Sequence, residues 1–330
     1  MSSPPPIRMG VLGAAAIVPM ALTNPARAVP GVQIVAIAAR DPKRAAMFAR
    51  RHHISRVHQT YDDLLEDPEI DAIYNPLPNS LHAEWTIRAL RAGKHVLCEK
   101  PFASNAQEAD EMARTAQETG LVLSEAFAYR YHPLTARVKE ILARGDIGDI
   151  QHIEAQFCFL LPSPKNIRFN YELAGGALMD CGCYPVSLIR YLKEEEPIVR
   201  SAKARLFAPQ VDSKMEADLE FADGCTAYIA CDMLSPTLFR SFLRVNGDAG
   251  TLRVVNPYHP HWFNWLHLRG QNGSRSEYVR GENIYTLQLR AFIKALRGET
   301  QLNTDPVDAI ANMRVIDSIY ERAGLRQRGA

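Results

Sequence analysis

The chain is short of several things, and each shortage excludes something. Its charges nearly cancel: 38 Lys and Arg stand against 37 Asp and Glu, a formal net charge of +1. That balance offers no electrostatic footprint for nucleic acid or an anionic membrane as partner. Long apolar runs are missing, and none approaches the ~18 residues that a bilayer-spanning helix needs. Cysteines number six and are scattered. Cys98, Cys158, Cys225 and Cys231 sit in apolar, strand-like runs, which suits buried free thiols in a reducing cytoplasm better than disulfides. Cys181-Gly182-Cys183 is the close pair, with no further Cys or His at ligand spacing, so no metal site is expected. The opening MSSPPPIR lacks the charged and apolar regions of a signal peptide. Its prolines read as a short disordered arm, and a cytoplasmic location is expected. What is plentiful is apolar residue, 47% beside 23% charged, the composition of a globular chain with a core. A length of 330 residues suits two domains.

Strands and helices alternate from residue 7 to about 126. Apolar strands are expected at 7–12, 32–38, 71–75, 94–98 and 121–126, with helices near 42–51, 62–66, 81–92 and 105–119. Such alternation argues for a parallel sheet covered on both faces, a doubly wound nucleotide-binding fold. The first turn would be its phosphate site, where backbone must approach a pyrophosphate closely and a helix N-terminus supplies free N–H groups. Gly10 and Gly13 are present, but Ala15 stands where G-x-G-x-x-G has its second glycine. The motif therefore fails as a pattern, and the strand, small-residue turn and helix carry the reading. At the end of the second strand the sequence reads Ala38-Ala39-Arg40-Asp41-Pro42. Dinucleotide sites for NAD place an acidic residue here, whereas those for NADP carry an arginine. Arg40 therefore favours NADP over NAD, unless it merely sits in solvent, and Asp41 reads as the N-cap of the next helix.

Three further segments bear chemistry. Asn75-Pro76-Leu77-Pro78-Asn79-Ser80-Leu81-His82 is a loop at a strand's carboxyl end that opens a helix. Glu99-Lys100-Pro101 pins a lysine between a strand end and a proline, where a parallel sheet presents it to a ligand. Gly175-Gly176-Ala177-Leu178-Met179-Asp180-Cys181-Gly182-Cys183-Tyr184-Pro185 leads into an amphipathic helix, with Asp180 and Tyr184 four apart on one face. Together these segments resemble the glucose–fructose oxidoreductase/inositol dehydrogenase (MocA-like) family of NAD(P)-dependent sugar and polyol dehydrogenases. Glu125-Ala126-Phe127-Ala128-Tyr129-Arg130-Tyr131-His132-Pro133 is similar to its dimeric dihydrodiol dehydrogenase and NADP-dependent xylose dehydrogenase branch.

The resemblance implies a catalytic trio of Lys100, Asp180 and Tyr184. A free tyrosine has a pKa near ~10; a nearby ammonium such as Lys100 would favour its phenolate and make it a working base. Asp180 would hold the lysine or bond a sugar hydroxyl. Cofactor contacts are implied for Gly13, Ala14, Ala15, Ile17, Arg40, Pro76, Leu77, Asn79, His82, Glu99, Lys100 and Arg130. Substrate contacts are implied for Tyr131, His132, Arg168, Asp180 and Tyr184. His132 reads equally as the cap of a helix starting at Pro133, and Arg168 equally as a solvent-exposed loop arginine. A cis bond before Pro101 is also implied.

From about residue 149 strands follow one another at 151–159, 201–207, 216–221, 225–232, 239–245 and 251–255. Helices interrupt them at Tyr184, 283–296 and 306–322. This predicts an α+β domain with a large, mostly antiparallel open sheet, whose free face a second copy would cover in a homodimer or homotetramer. The aromatic segment 257–265 has no assigned role. The expected domains are residues 6–128, binding NAD(P), and 129–330, for substrate and oligomerisation. The expected activity is NADP-dependent hydride transfer to or from a small-molecule sugar, polyol or vicinal diol. The alternatives are a related enzyme that retains its cofactor or uses it to assist a lyase or glycosidase reaction, and a non-catalytic cofactor sensor.

Overall fold

The computed structural model describes residues 4–271 and 273–329. Residues 1–3 of the expected disordered arm lie outside the described residues. Six strands, β1 (Ile7–Leu12), β2 (Val32–Ala38), β3 (Arg56–His58), β4 (Ala72–Asn75), β5 (His95–Cys98) and β6 (Leu123–Glu125), form one sheet in the order β3-β2-β1-β4-β5-β6. Every pairing in it is parallel. The order reverses between β1 and β4, the switch point at which doubly wound sheets bind ligands. The central strands are short and buried on both faces, as in β4, where all four residues are buried. β3 has no counterpart in the sequence reading: three half-buried residues are too few to show a period.

The crossovers are α1 (Asn24–Ala26) after a wide helical turn over Pro19–Thr23, α2 (Pro42–His52), α3 (Tyr61–Glu66), α4 (His82–Arg91) and α5 (Ala106–Thr119). Local chemistry sets their ends. Asp41 caps α2, accepting from the Lys43 and Arg44 amides, and Pro42 follows at the first position. Thr60 and Asp63 form a reciprocal capping box on α3.

Eight strands follow: β7 (Ile150–Leu160), β8 (Ile198–Ala208), β9 (Val211–Glu220), β10 (Thr226–Asp232), β11 (Leu234–Gly247), β12 (Thr251–Val255), β13 (Trp265–Gly270) and β14 (Gly273–Glu277). Their order is β14-β13-β12-β11-β7-β10-β9-β8, antiparallel except for β7 beside β10. The edge hairpin β13–β14 was not legible in the sequence, because its second strand is Gly-Ser-Arg-Ser-Glu, without an apolar residue. The remaining helices are α6 (Pro133–Ala143), α7 (Cys183–Lys193), α8 (Ile284–Leu296) and α9 (Pro306–Arg322). α7 lies against β7 and β10, and Ile153, Ala155, Phe157, Ile229, Val186 and Ile189 are buried there. Each of these side chains larger than alanine contributes about 1.5–3 kcal/mol of burial. The other face of the sheet is polar: Tyr228 donates to Glu216 at 2.6 Å, and Arg244 pairs with Glu154 at 3.5 Å.

By contact the chain forms two compact units. The first comprises residues 1–103, 107–128 and 285–310, and the second 104–106, 129–284 and 311–330. The segment Tyr285–Ile310 thus belongs with the nucleotide-type sheet although it follows the second sheet in sequence. Within the first unit it lines β6: the Thr304 carbonyl accepts from the Glu125 amide at 3.0 Å. All six cysteines are free and buried. Among the described residues no helix is long and apolar enough to cross a membrane.

Candidate active site

The first unit gathers its chemistry at the carboxyl ends of β1, β2, β4 and β5. Gly13, in the turn after β1, has φ +84° and donates to the Ala38 carbonyl at 2.7 Å. A Cβ there would stand 3.1 Å from Leu77 Cδ2, so glycine lets the 75–82 loop close on the turn. The amides of Ala14, Ala15, Ala16 and Ile17 have no protein acceptor among the described residues. Four free N–H groups ahead of a helical turn are what a pyrophosphate requires, so the residues present fit a dinucleotide although Ala15 replaces a glycine. Arg40 is exposed at the end of β2. Arg44, one turn into α2, reaches back to the Ala14 carbonyl at 2.9 Å. Sequence reading passed over Arg44; its spacing of four from Arg40 was the available signal.

The loop after β4 is built around two buried side chains. Asn75 donates to the His82 carbonyl (3.2 Å) and to Thr86 Oγ1 (3.1 Å) and accepts from the Leu77 amide (3.3 Å). His82 bridges two loops: Nδ1 lies 2.8 Å from the Pro101 carbonyl and Nε2 2.8 Å from the Leu77 carbonyl. Two acceptors favour a protonated ring, but burial outweighs them and pushes its pKa down to about 4. The neutral ring donates to one carbonyl. Pro76 and Leu77 are buried, and Asn79 is half-buried. Glu99 accepts from the Tyr74 hydroxyl at 2.6 Å, and Lys100, half-buried, precedes Pro101 through a cis peptide bond.

In the second unit a wide helical turn over Leu178–Gly182 runs into α7. It puts Asp180 and Tyr184 one turn apart, both half-buried. Arg168 Nε lies 2.7 Å from Asp180 Oδ1, and the carboxylate raises the arginine's pKa. Arg168 therefore meets neither of its expected fates alone: it is partly exposed, and it is committed to Asp180. The Tyr184 ring packs edge-on to Phe157 (5.3 Å between centroids) and beside Tyr258 (5.4 Å) and His259 (6.1 Å). The unassigned 257–265 segment thus supplies part of the wall around Tyr184. Asn256 and Asn264 bolt that segment through bonds to the His259, Phe263, Pro260 and Val279 carbonyls. The alternating pattern that reveals strands could not reveal such a loop.

His132 is the cap of α6: its Nδ1 accepts from the Leu134 amide at 3.1 Å. It is buried, which pushes its pKa down to about 4, and Nε2 has no hydrogen-bond partner among the described residues. Arg130 is also buried. It donates to Ser187 Oγ at 2.7 Å and lies over the Tyr191 ring, bracing α7. Tyr131 is half-buried.

A doubly wound sheet with free amides in its first turn is the architecture that binds a dinucleotide. Comparison with known proteins gives the family. The profile of an oxidoreductase family with an NAD-binding Rossmann fold matches residues 7–127, and that of the GFO/IDH/MocA C-terminal domain matches residues 135–253. The chain belongs to the GFO/IDH/MocA oxidoreductase family. It is 34% identical to a D-xylose 1-dehydrogenase (NADP(+)) of Haloferax volcanii, over 95% of this chain and 96% of that one. A dTDP-3,4-didehydro-2,6-dideoxy-alpha-D-glucose 3-reductase of Streptomyces violaceoruber is 39% identical over 97% and 96% of the two chains. Among solved structures, a 3-ketoreductase from Actinomadura kijaniata in complex with NADP and TDP-benzene superposes with a TM-score of 0.89. Its identity is 30%, with 97% of this chain and 98% of that one covered.

Proposed function

We propose that this protein is an NADP-dependent oxidoreductase acting on a hydroxyl or keto group of a sugar, polyol or vicinal diol. The observation that carries the reading is the Asp180–Tyr184 pair at the start of α7, half-buried and walled by aromatic rings. The xylose dehydrogenase and the dideoxyglucose 3-reductase support the substrate class by their own activities. When bound, the nicotinamide supplies the hydride acceptor or donor. The Tyr184 oxygen handles the proton at the substrate oxygen, taking it as phenolate in oxidation and returning it as phenol in reduction. Asp180, steadied by Arg168, accepts from a neighbouring substrate hydroxyl and orients the ring. Lys100 contributes a positive charge that favours an anionic oxygen.

For the cofactor, Gly13, Ala14, Ala15 and Ile17 hold the pyrophosphate, and Arg40 with Arg44 takes the 2′-phosphate by guanidinium forks. Pro76, Leu77, Asn79, His82 and Glu99 shape the bed of the nicotinamide, Arg130 is a further cofactor contact, and Tyr131 and His132 border the substrate. The polar face of the eight-stranded sheet is the proposed interface of a homodimer or homotetramer. The test is NADP⁺ reduction followed by absorbance over aldoses, polyols and cyclic diols, with NAD⁺ in parallel and the ketones offered with NADPH. Turnover that prefers the phosphorylated cofactor is expected. Silence across the panel in both directions, with NADPH bound, would refute the reading.

A further inference from the structure

Arg328 has the largest fully buried side chain among the described residues, and it lies beyond the last helix. Its Nε donates to the Gly175 carbonyl at 2.7 Å, Nη2 to Asp212 Oδ1 at 2.9 Å and Nη1 to the Arg326 carbonyl at 3.1 Å. The guanidinium also stands 4.0 Å from the centre of the Tyr320 ring. Asp212 is equally buried and uses both oxygens. Oδ1 also accepts from the Tyr320 hydroxyl at 3.0 Å, and Oδ2 accepts from the Leu178 amide at 2.7 Å.

The pair therefore grips both ends of one turn, residues 175 and 178. Gly176, inside the turn, donates to the Arg168 carbonyl at 2.8 Å, and its own carbonyl accepts from the Asp180 amide at 3.0 Å. It has φ +137°, and a Cβ would fall 2.2 Å from Asp212 Oδ1, so no larger residue fits. One residue thus joins the backbones of Arg168 and Asp180, whose side chains meet in an ion pair. A buried ion pair is weak as a source of stability, since apolar replacements often do as well. This one is bonded to both ends of the segment that delivers Asp180, at Gly175 and Leu178.

We propose that Arg328 and Asp212 are positioning residues for the Asp180 carboxylate, acting through the turn over residues 175–178. The proposal rests on the reading of Asp180 as a group that touches substrate. The full chain is tested in three variants. Arg328→Lys keeps the charge but cannot span three acceptors with one planar fork. Tyr320→Phe removes one donor to Asp212. Asp180→Asn tests the underlying reading.

Turnover is expressed per molecule that binds NADPH in a fluorescence titration, below each variant's unfolding transition. The expected result is an unchanged Kd for NADPH, with kcat lowered about 10–100-fold in Arg328→Lys, the scale of an ångström misplacement, and lowered less in Tyr320→Phe. Wild-type kcat per NADPH-binding molecule in both variants overturns the proposal. If Arg328→Lys does not fold, Tyr320→Phe decides alone. Wild-type turnover in Asp180→Asn overturns the reading of Asp180 itself, whatever the clamp variants show.

Discussion

Arg168 and Asp180 meet at 2.7 Å, with side-chain exposures of 41% and 14%. The arginine is open enough to meet a ligand, and the carboxylate is sheltered enough to be held in one direction. A charge-assisted contact of this kind fixes geometry as well as charge. Asp180→Asn is expected to lower kcat by about 10²-fold, the cost of losing an orienting contact. Arg168→Gln should lower kcat/KM by about 10-fold through that carboxylate. Steady-state kinetics on both variants check this, and wild-type values in the pair would discard the role of the contact.

Tyr184→Phe removes only the hydroxyl and leaves the ring among Phe157, Tyr258 and His259. The ring's packing is conserved. Turnover should fall by about 10²–10⁴-fold, the usual general acid–base contribution, while NADPH affinity stays the same. A variant that turns over normally would move proton handling to another group.

Arg40 and Arg44 bear on the choice between cofactors. Arg44 is held by its bond to the Ala14 carbonyl, whereas Arg40 is exposed at the end of β2. Hydrogen bonds to charged groups are worth about 1.5–3 kcal/mol, so Arg40→Ala should raise KM for NADP⁺ by roughly 10–100-fold. KM for NAD⁺ should be nearly constant. Arg44→Ala should act in the same direction and also loosen the turn after β1. Parallel effects on both cofactors would mean that neither arginine reads the 2′-phosphate.

His82 and His132 make stability depend on pH in a predictable sense. Burial holds both rings neutral, with pKa values of about 4, below the unfolded value near ~6.5. Between those values the unfolded chain binds more protons than the folded one, so stability is full above pH ~6.5 and falls as the pH drops towards 4. His132→Asn keeps an acceptor for the Leu134 amide and removes the titration. Thermal unfolding from pH 7 to 4 should show a shallower decline in that variant, and an identical slope would exclude His132 as a contributor.

How much of this was legible in the sequence depends on how local the physics is. The turn at Gly13, the Asp41 cap, the lysine before Pro101 and the four-residue spacing of Asp180 and Tyr184 each depend on adjacent residues or one helical turn, and each could be read directly. Arg44 needed only the same arithmetic applied once more. The Arg168–Asp180 contact could not be foreseen, because its loop has no period. Nor could the Arg328–Asp212 pair, whose members are 116 residues apart and carry no pattern that marks them as partners. Tyr258 and His259 escaped for a third reason: their loop is shaped by Asn256 and Asn264, whose amides bond carbonyls that no periodicity reveals.

The assignment of Tyr285–Ile310 to the first unit has a consequence for synthesis. On the ribosome, β1 to β6 emerge long before α8, yet the Glu125 amide and the Ser124 hydroxyl find their partners on Thr304. Domains ordinarily fold as units in order of emergence. Here the nucleotide-type sheet must wait, its last strand unsealed, while the whole second sheet is translated. Nascent chains halted before residue 285 should therefore expose β6 to protease or chaperone, and those released after residue 310 should not.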